Sequence, residues 1–495
     1  MSQASQFFNP LPSFIASTFI LIMNGLLTFL SLALCAAILL LLPSEGPTAI
    51  LVCVPAAVLT LLLLSQVGGE GQFLTHLFVG GLLLRMVLGT VIYIFNLQDF
   101  FGGDALTYDF FGDALIRAWD GDRFYQTLVD MYTGGSGGGG WGMLYLVAGV
   151  YRLIGRNMLA IQFVNAVVGA ATAPIIYYIS HHIFGNTRVA RIAALFTAFF
   201  PSLILWSSQG LKDGPIVFLL ALSTLATLKL GEKLNLKYLV VLIFSLLALF
   251  SMRFYIFYLM AAAIGGAFVI GMRPMTAQSF VRQFLIIIAI GLAFTYFGMT
   301  RFASTQIENY GNLEAVQRSR LDAAQTGKSG FAKEADVSTA SGALSAIPVG
   351  MTYLLFAPFP WQLASLRQSI TLPEMIVWWL SFPLLILGLW FTIKYRLRQV
   401  SPILLFTSML TFAYSLFQGN VGTAYRQRSQ LLIFYFIFIA VGYVLFMEKR
   451  EDKKRRQALA LQEQKDRLLA VRGLRTRTQT LVVEDETGRE KAGVS

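Results

Sequence analysis

Twelve apolar runs separated by polar links leave few folds open to this chain. Hydrocarbon offers no partner for a backbone N–H or C=O, so a segment that crosses it must satisfy its own hydrogen bonds. A stretch of about 17 to 25 apolar residues is therefore a spanning helix. Such runs fall near 14–42, 48–66, 74–96, 158–183, 190–207, 212–231, 237–251, 253–272, 283–299, 373–394, 401–418 and 429–447, with 237–251 shorter than the rest. The expected fold class is an all-α polytopic membrane protein of about twelve transmembrane helices. With 56% hydrophobic and 13% charged residues and a mean hydropathy of +0.65, the chain is no ordinary soluble globule. "MSQASQFFNPLPSF" lacks a basic region, and the run after it exceeds a signal-peptide core, so the first run reads as a retained span.

Lysine and arginine near the span ends give the orientation, because cytoplasmic connections collect them. Basic links occur at Arg188 and Arg191, at Lys229, Lys233 and Lys237, at Arg273 and Arg282, at Lys394, Arg396 and Arg398, and in the tail that starts "EKREDKKRR". Placing these inside puts both termini in the cytoplasm. The loop 97–140, "SSQGLKDG" (207–214), the bend at Arg253, the segment 300–372 and "QGNVGTAYRQRSQ" (418–430) then lie outside. The net charge of +12 follows the same rule, so nucleic acid is not an expected partner. Cys35 and Cys53, the two cysteines, sit inside apolar runs and supply neither a disulfide framework nor a thiolate metal site.

Two further apolar segments would invert the topology if they crossed. "WGMLYLVAGVYRLIG" (141–155) follows the glycine run "TGGSGGGG" (133–140), which acts as a hinge. "LSAIPVGMTYLLFAPFPWQL" (344–363) carries the helix breakers Pro348, Pro358 and Pro360. Both are expected at the outer interface as amphipathic or re-entrant pieces. The polar stretch 301–345 starts helix-like around Leu313, Val316 and Leu321 and ends as coil, either a lid over substrate or a plain connection. The tail from 448 reads as a charged cytoplasmic helix that frays, in contact with membrane lipid.

Polar chemistry thus gathers on the outer face, and the acidic first loop stands out there. Asp99, Asp113, Asp120, Asp122 and Asp130 each fit the charge rule taken singly. In "GDALTYDFFGDAL", Asp104 and Tyr108 lie four apart, as do Asp109 and Asp113, so carboxylates and rings share a face of one short helix. A carboxylate partly desolvated by aromatic rings suits general-base work. Arg426 and Arg428 in "AYRQRSQ" either anchor a span at the headgroups or bind phosphate, for which planar guanidinium groups are fitted. Arg253 lies deep in apolar sequence, where a charge marks a pathway or a partner. Lys212 and Asp213 are adjacent in "QGLKDGP" and either pair at the interface or join the site. His181 and His182 fall at the opposite end of a span, and "GGSGGGG" lacks the lysine of a phosphate loop.

The order of these features resembles the GT-C class of membrane glycosyltransferases. It is most similar to the bacterial branch related to protein mannosyltransferases and lipid A aminoarabinose transferases. The resemblance rests on Asp104 and Tyr108 in the first long outer loop, then an interfacial helix, then "GRNMLAIQFVNAVVGAATAPIIYYISHHIFGNTRVARIAALFTAFFPSLILWSSQGLKD". It covers about 75–260, with "LLFAPFPWQ" and "GTAYRQR" similar further on. It implies a domain layout of two extra helices (1–70), a catalytic core (71–300) with its first outer loop at 97–157, an outer segment (301–372), C-terminal spans (373–447) and a tail (448–495). It implies transfer of a sugar from a polyprenyl-phosphate or polyprenyl-diphosphate carrier to a lipid, glycan or protein acceptor at the outer face of a bacterial inner membrane, with inversion. On that implication Asp104 is the base. Asp109, Asp113 and Tyr108 position the acceptor or a metal such as magnesium or manganese. Arg426, Arg428, Arg253 and Lys212 take the donor phosphate, and Asp213 is a second-loop acid. Two other readings stand beside it: a polymerase or ligase of lipid-linked glycans, and a transporter, which the lack of an internal repeat disfavours.

Overall fold

The computed structural model describes residues 13–66, 70–134, 141–272, 276–299, 306, 311–326, 329–363 and 365–491. The chain opens with α1 (Ser13–Leu41), α2 (Gly46–Ser65) and α3 (Gly71–Ile94). The first loop holds α4 (Gln98–Phe101), α5 (Asp104–Trp119), α6 (Arg123–Gly134) and α7 (Trp141–Ile154). There follow α8 (Met158–Phe184), α9 (Thr187–Phe199), α10 (Pro201–Ser207), α11 (Asp213–Glu232), α12 (Leu236–Met252), α13 (Phe254–Ile270) and α14 (Ala277–Tyr296). A second loop carries α15 (Leu313–Thr326), α16 (Ala340–Phe356) and α17 (Leu366–Ile370), and α18 (Leu372–Phe417) and α19 (Val421–Lys491) end the chain.

Among the described residues, seven helices are long and apolar enough to cross a membrane, namely α1, α2, α3, α8, α11, α18 and α19. The bent pair α9 and α10 makes an eighth. Three more of the expected runs are the shorter apolar helices α12, α13 and α14. The last is hidden in α18. Straight, its 46 residues would reach about 69 Å at 1.5 Å per residue. Instead Glu374 near its start and Tyr414 near its end both bond the first turns of α19, through Tyr425 (2.9 Å) and Gln430 (2.6 Å). The chain must therefore double back, and it does so at Arg396, which leaves the helical region at φ −135°.

Local sequence explains the joints. Asn157, Asn186 and Asn235 cap α8, α9 and α12 with their side-chain oxygens. Asn157 also donates to the Glu45 carbonyl (2.8 Å) and Thr48 Oγ1 (2.7 Å), tying α8 to α2. The run 190–207, expected as one span, is instead bent by 52° at Phe200. Pro201 has no N–H to continue the helix and pushes the preceding residue to extended geometry, seen at Phe200 with ψ 126°. Buried Arg85 offsets the break, donating to the Ala198 carbonyl (2.9 Å) and Ser207 Oγ (2.8 Å). Pro348, expected to break its helix, lies inside α16.

The first membrane stretch of α19 forms the centre of the bundle, with Leu431 to Val441 all buried. Close helix contacts rely on glycine, as in other membrane bundles. Gly388 of α18 packs on the Phe438 backbone, Gly442 of α19 on Leu384, and Gly350 of α16 on Ser415. By contrast α1 lies on the rim, largely uncovered.

Polar links sort to two ends. At one end Arg191 pairs with Glu70 (2.8 Å), Arg188 with Glu451 (3.7 Å), and Arg282 donates to the Glu232 carbonyl (3.0 Å). At the other end the first loop meets residues 207–214, Arg253 and the start of α19. The segment around α15 also docks here rather than standing free. Phe331 N donates to Gly419 O (2.9 Å), Val421 N to Ser329 O (3.0 Å) and Arg320 Nη1 to Leu416 O (3.2 Å). Arg273, residues 135–140 of the glycine run, and 301–305, 307–310 and 327–328 of the polar stretch lie outside the described residues. The helix of α19 continues to Lys491, where fraying was expected; its Ala, Leu, Gln, Glu, Lys and Arg content favours helix.

Candidate active site

Asp104 owes its position to the turn before it. Gly102 and Gly103 take φ of +137° and +72°, a geometry that residues with a Cβ rarely adopt, and the chain then enters α5 with Asp104 as its first residue. From there Asp104 Oδ2 accepts from Arg426 Nη1 at 2.6 Å. These residues lie 322 positions apart.

The second acid arrives through the loop after the α9–α10 bend. Asn165 of α8 donates to the Gln209 (2.6 Å) and Leu211 (2.7 Å) carbonyls and fixes that loop. Gly89 lets the Ser208 carbonyl approach α3. Asp213 then starts α11 with no exposed surface, where the helix N-terminus favours a negative charge. Its Oδ2 accepts from Arg426 Nε (2.7 Å) and lies 2.5 Å from Nη2, while Arg253 Nη2 stands 3.7 Å from Oδ1. Arg253 reaches in because it is the extended residue between α12 and α13.

Lys212 completes the group, its Nζ 5.9 Å from the centre of the Tyr108 ring. Burial, then the neighbouring Arg253 charge, pushes the Lys212 ammonium down to about 8. Burial and the nearby Asp104 carboxylate raise the Tyr108 phenol, so it stays protonated. The Arg426 guanidinium lies over the Trp206 indole at 5.7 Å. Three cations thus face two carboxylates, leaving one positive charge in excess. The side chain of Asp104 is 49% exposed and that of Asp213 is 0% exposed. The first is open to an incoming molecule; the second anchors Arg426 from below. Asp104 is therefore wetter than the aromatic surface in its sequence suggested.

Other residues singled out from sequence sit elsewhere. Asp109 is on another face of α5, accepting from Tyr151 Oη (2.6 Å) and tightly paired with Arg156. Asp113 pairs with Arg117 (3.0 Å). Arg428 is buried and donates to the Leu355 (2.7 Å) and Ala357 (2.9 Å) carbonyls, so it secures the end of α16. Sequence reasoning passed over Arg85, although a charge inside an apolar run was signal enough. It also passed over the buried Glu374, which takes the Tyr425 hydroxyl at 2.9 Å. Among the described residues no three His, Cys, Asp or Glu side chains gather as metal ligands. The two carboxylates of the cluster share one guanidinium, an arrangement that does not fit a divalent cation between them.

Residues 141–297 match the family model of dolichyl-phosphate-mannose-protein mannosyltransferase. Over that stretch the chain is similar to this family. The matched part holds Lys212, Asp213 and Arg253, while Asp104 and Arg426 lie outside it. The oligosaccharyltransferase of Archaeoglobus fulgidus, crystallised with Zn and sulfate, is similar at 12% identity with a TM-score of 0.34. That similarity covers 63% of this chain and 41% of the archaeal one. No curated protein matches the sequence.

Proposed function

We propose that this chain is a membrane glycosyltransferase of the GT-C class, which moves a sugar from a polyprenyl-phosphate or polyprenyl-diphosphate carrier to an acceptor hydroxyl with Asp104 as general base. The acceptor oxygen attacks the anomeric carbon, the bond from that carbon to the phosphate oxygen breaks, and the hydroxyl proton passes to Asp104. One displacement of this kind inverts the anomeric centre. Lys212, Arg253 and Arg426 hold the departing phosphate as its charge grows. Asp213 orients Arg426, and Tyr108 supports the acceptor side, as do Asp109 and Asp113 through their hold on α5. Arg428 is assigned to holding α16. No step needs a magnesium or manganese ion, since the three cations supply the charge.

The observation that carries this reading is the convergence of Asp104, Lys212, Asp213, Arg253 and Arg426 from four separate stretches of chain at one end of the bundle. On the charge rule that end is the outer face, with both termini in the cytoplasm, and the resemblance implies a bacterial inner membrane. A product in the cell envelope, whether glycan, polysaccharide or glycoprotein, follows from that placement. The domain layout 1–70, 71–300, 301–372, 373–447 and 448–495 goes with the same reading.

The test supplies membranes containing the protein with radiolabelled sugars carried on polyprenyl phosphate, on polyprenyl diphosphate, or on nucleotides. Transfer from a polyprenyl carrier, and none from nucleotide sugars, is expected. Transfer from nucleotide sugars alone would overturn the proposal.

A further inference from the structure

A second recess lies on the other side of α5 from the cationic cluster. It is a groove of about 550 Å³, within the size range of small-molecule sites. One wall is apolar: Leu41 at the end of α1, Ile94 at the end of α3, and Leu106 on α5. The other is polar, with Glu45, Asn96 and Gln98 beside the Asp109–Arg156 pair. Its frame is built rather than incidental. Asp109 is 8% exposed and held by Tyr151 and Arg156, and Asn157, at 5%, is locked by the Glu45 carbonyl and Thr48.

We propose that this groove receives a lipid-anchored acceptor whose head carries uncharged hydroxyl groups. The inference rests on the glycosyltransferase reading above. Three observations carry it. First, the groove straddles the last turns of two apolar helices and the polar loop beyond them, so whatever fills it has an apolar part and a polar part. Second, its charges are Glu45 and Asp109 against Arg156, one negative charge in excess, where the cluster around Arg426 is positive by one. A phosphate is repelled from the groove and drawn to the cluster, whereas carboxylate and amide side chains suit hydroxyls. Third, Leu106 and Asp109 follow Asp104 on the same helix by two and five residues, about 3 to 7.5 Å along its axis. Because Asp104 is the first residue of α5, a head held there reaches the base by passing round the start of that helix. The rim helices α1 and α2 thereby acquire a role, because Leu41 and Glu45 close the groove.

The test is photolabelling of the full-length protein in phosphatidylcholine nanodiscs, with a diazirine-bearing glucosyl diacylglycerol as probe. Labelled peptides from 41–46 and 94–109 are expected, with competition by unlabelled glucosyl diacylglycerol and weak labelling by a phosphatidylglycerol analogue. Leu106→Trp fills the groove and reduces labelling about tenfold, a loss of roughly 1.4 kcal/mol of binding. Ile94→Trp serves the same purpose if that variant fails to fold. Glu45→Lys shifts the preference toward phosphatidylglycerol, and Phe29→Trp on the bare face of α1 changes nothing. Equal labelling by both lipids, or labelling indifferent to the groove variants, overturns the proposal. Labelling does not depend on turnover, so Asp104→Asn labels like wild type. Absence of transfer by the wild type with intact labelling counts against the enzymatic reading alone.

Discussion

Replacing Arg426 by Met separates what the cluster does for stability from what it does for chemistry. The guanidinium bridges two carboxylates of opposite exposure, Asp213 at 0% and Asp104 at 49%. Losing the partner of a half-exposed carboxylate costs at most about 1 kcal/mol. Leaving a fully buried one behind costs about 3 kcal/mol, the low end for an orphaned buried charge, because Arg253 still stands 3.7 Å away. Arg426→Met therefore lowers stability by about 3 to 4 kcal/mol. Adding Asp213→Asn removes the stranded charge and restores most of that loss. Asp104→Asn alone stays within about 1 kcal/mol of wild type. Helix loss followed by circular dichroism during titration of the detergent-solubilised protein with SDS gives all four values. If the double variant is no more stable than Arg426→Met, the buried pair is not what anchors Arg426, and the reasoning fails.

Lys212 makes the site sensitive to alkaline pH. With its ammonium pushed down to about 8 by burial and Arg253, it is charged below that pH and loses its proton above it. The donor KM is therefore expected to rise as pH passes 8, while Lys212→Arg keeps the profile flat; an identical rise in both variants would show that another group titrates. Arg85→Leu strands the Ala198 carbonyl at the α9–α10 bend, at about 1 to 3 kcal/mol for a buried group left without a partner, while the Ser207 hydroxyl keeps its bond to the Leu203 carbonyl. A thermal melt indistinguishable from wild type would mean that Arg85 does not hold the bend.

Apolar runs make the helices legible, and the basic links mark one end of the bundle from sequence alone. That is physically sensible, since membrane length and loop charge act locally on sequence. The bend at Phe200 was harder to see, because a single proline near the end of an apolar run reads equally well as the first turn of a helix. Of the site, Asp104, Lys212, Asp213, Arg253 and Arg426 were all visible as charges on the expected outer loops. Their partners were not. Arg426 and Asp213 are 213 positions apart, and no local pattern distinguishes Arg426, which enters the cluster, from Arg428, which turns to backbone carbonyls two residues later. Helix periodicity put Asp109 and Asp113 on a shared face, correctly, but could not say that Arg156 and Arg117 wait there.

The central claim is that Asp104 takes the proton. Its most direct test is the transfer rate of Asp104→Asn beside Asp109→Asn, with saturating donor and equal amounts of folded protein. The account predicts a kcat loss of roughly 10²- to 10⁴-fold for Asp104→Asn, and a much smaller one for Asp109→Asn. A wild-type kcat in Asp104→Asn, or the larger loss in Asp109→Asn, would contradict it.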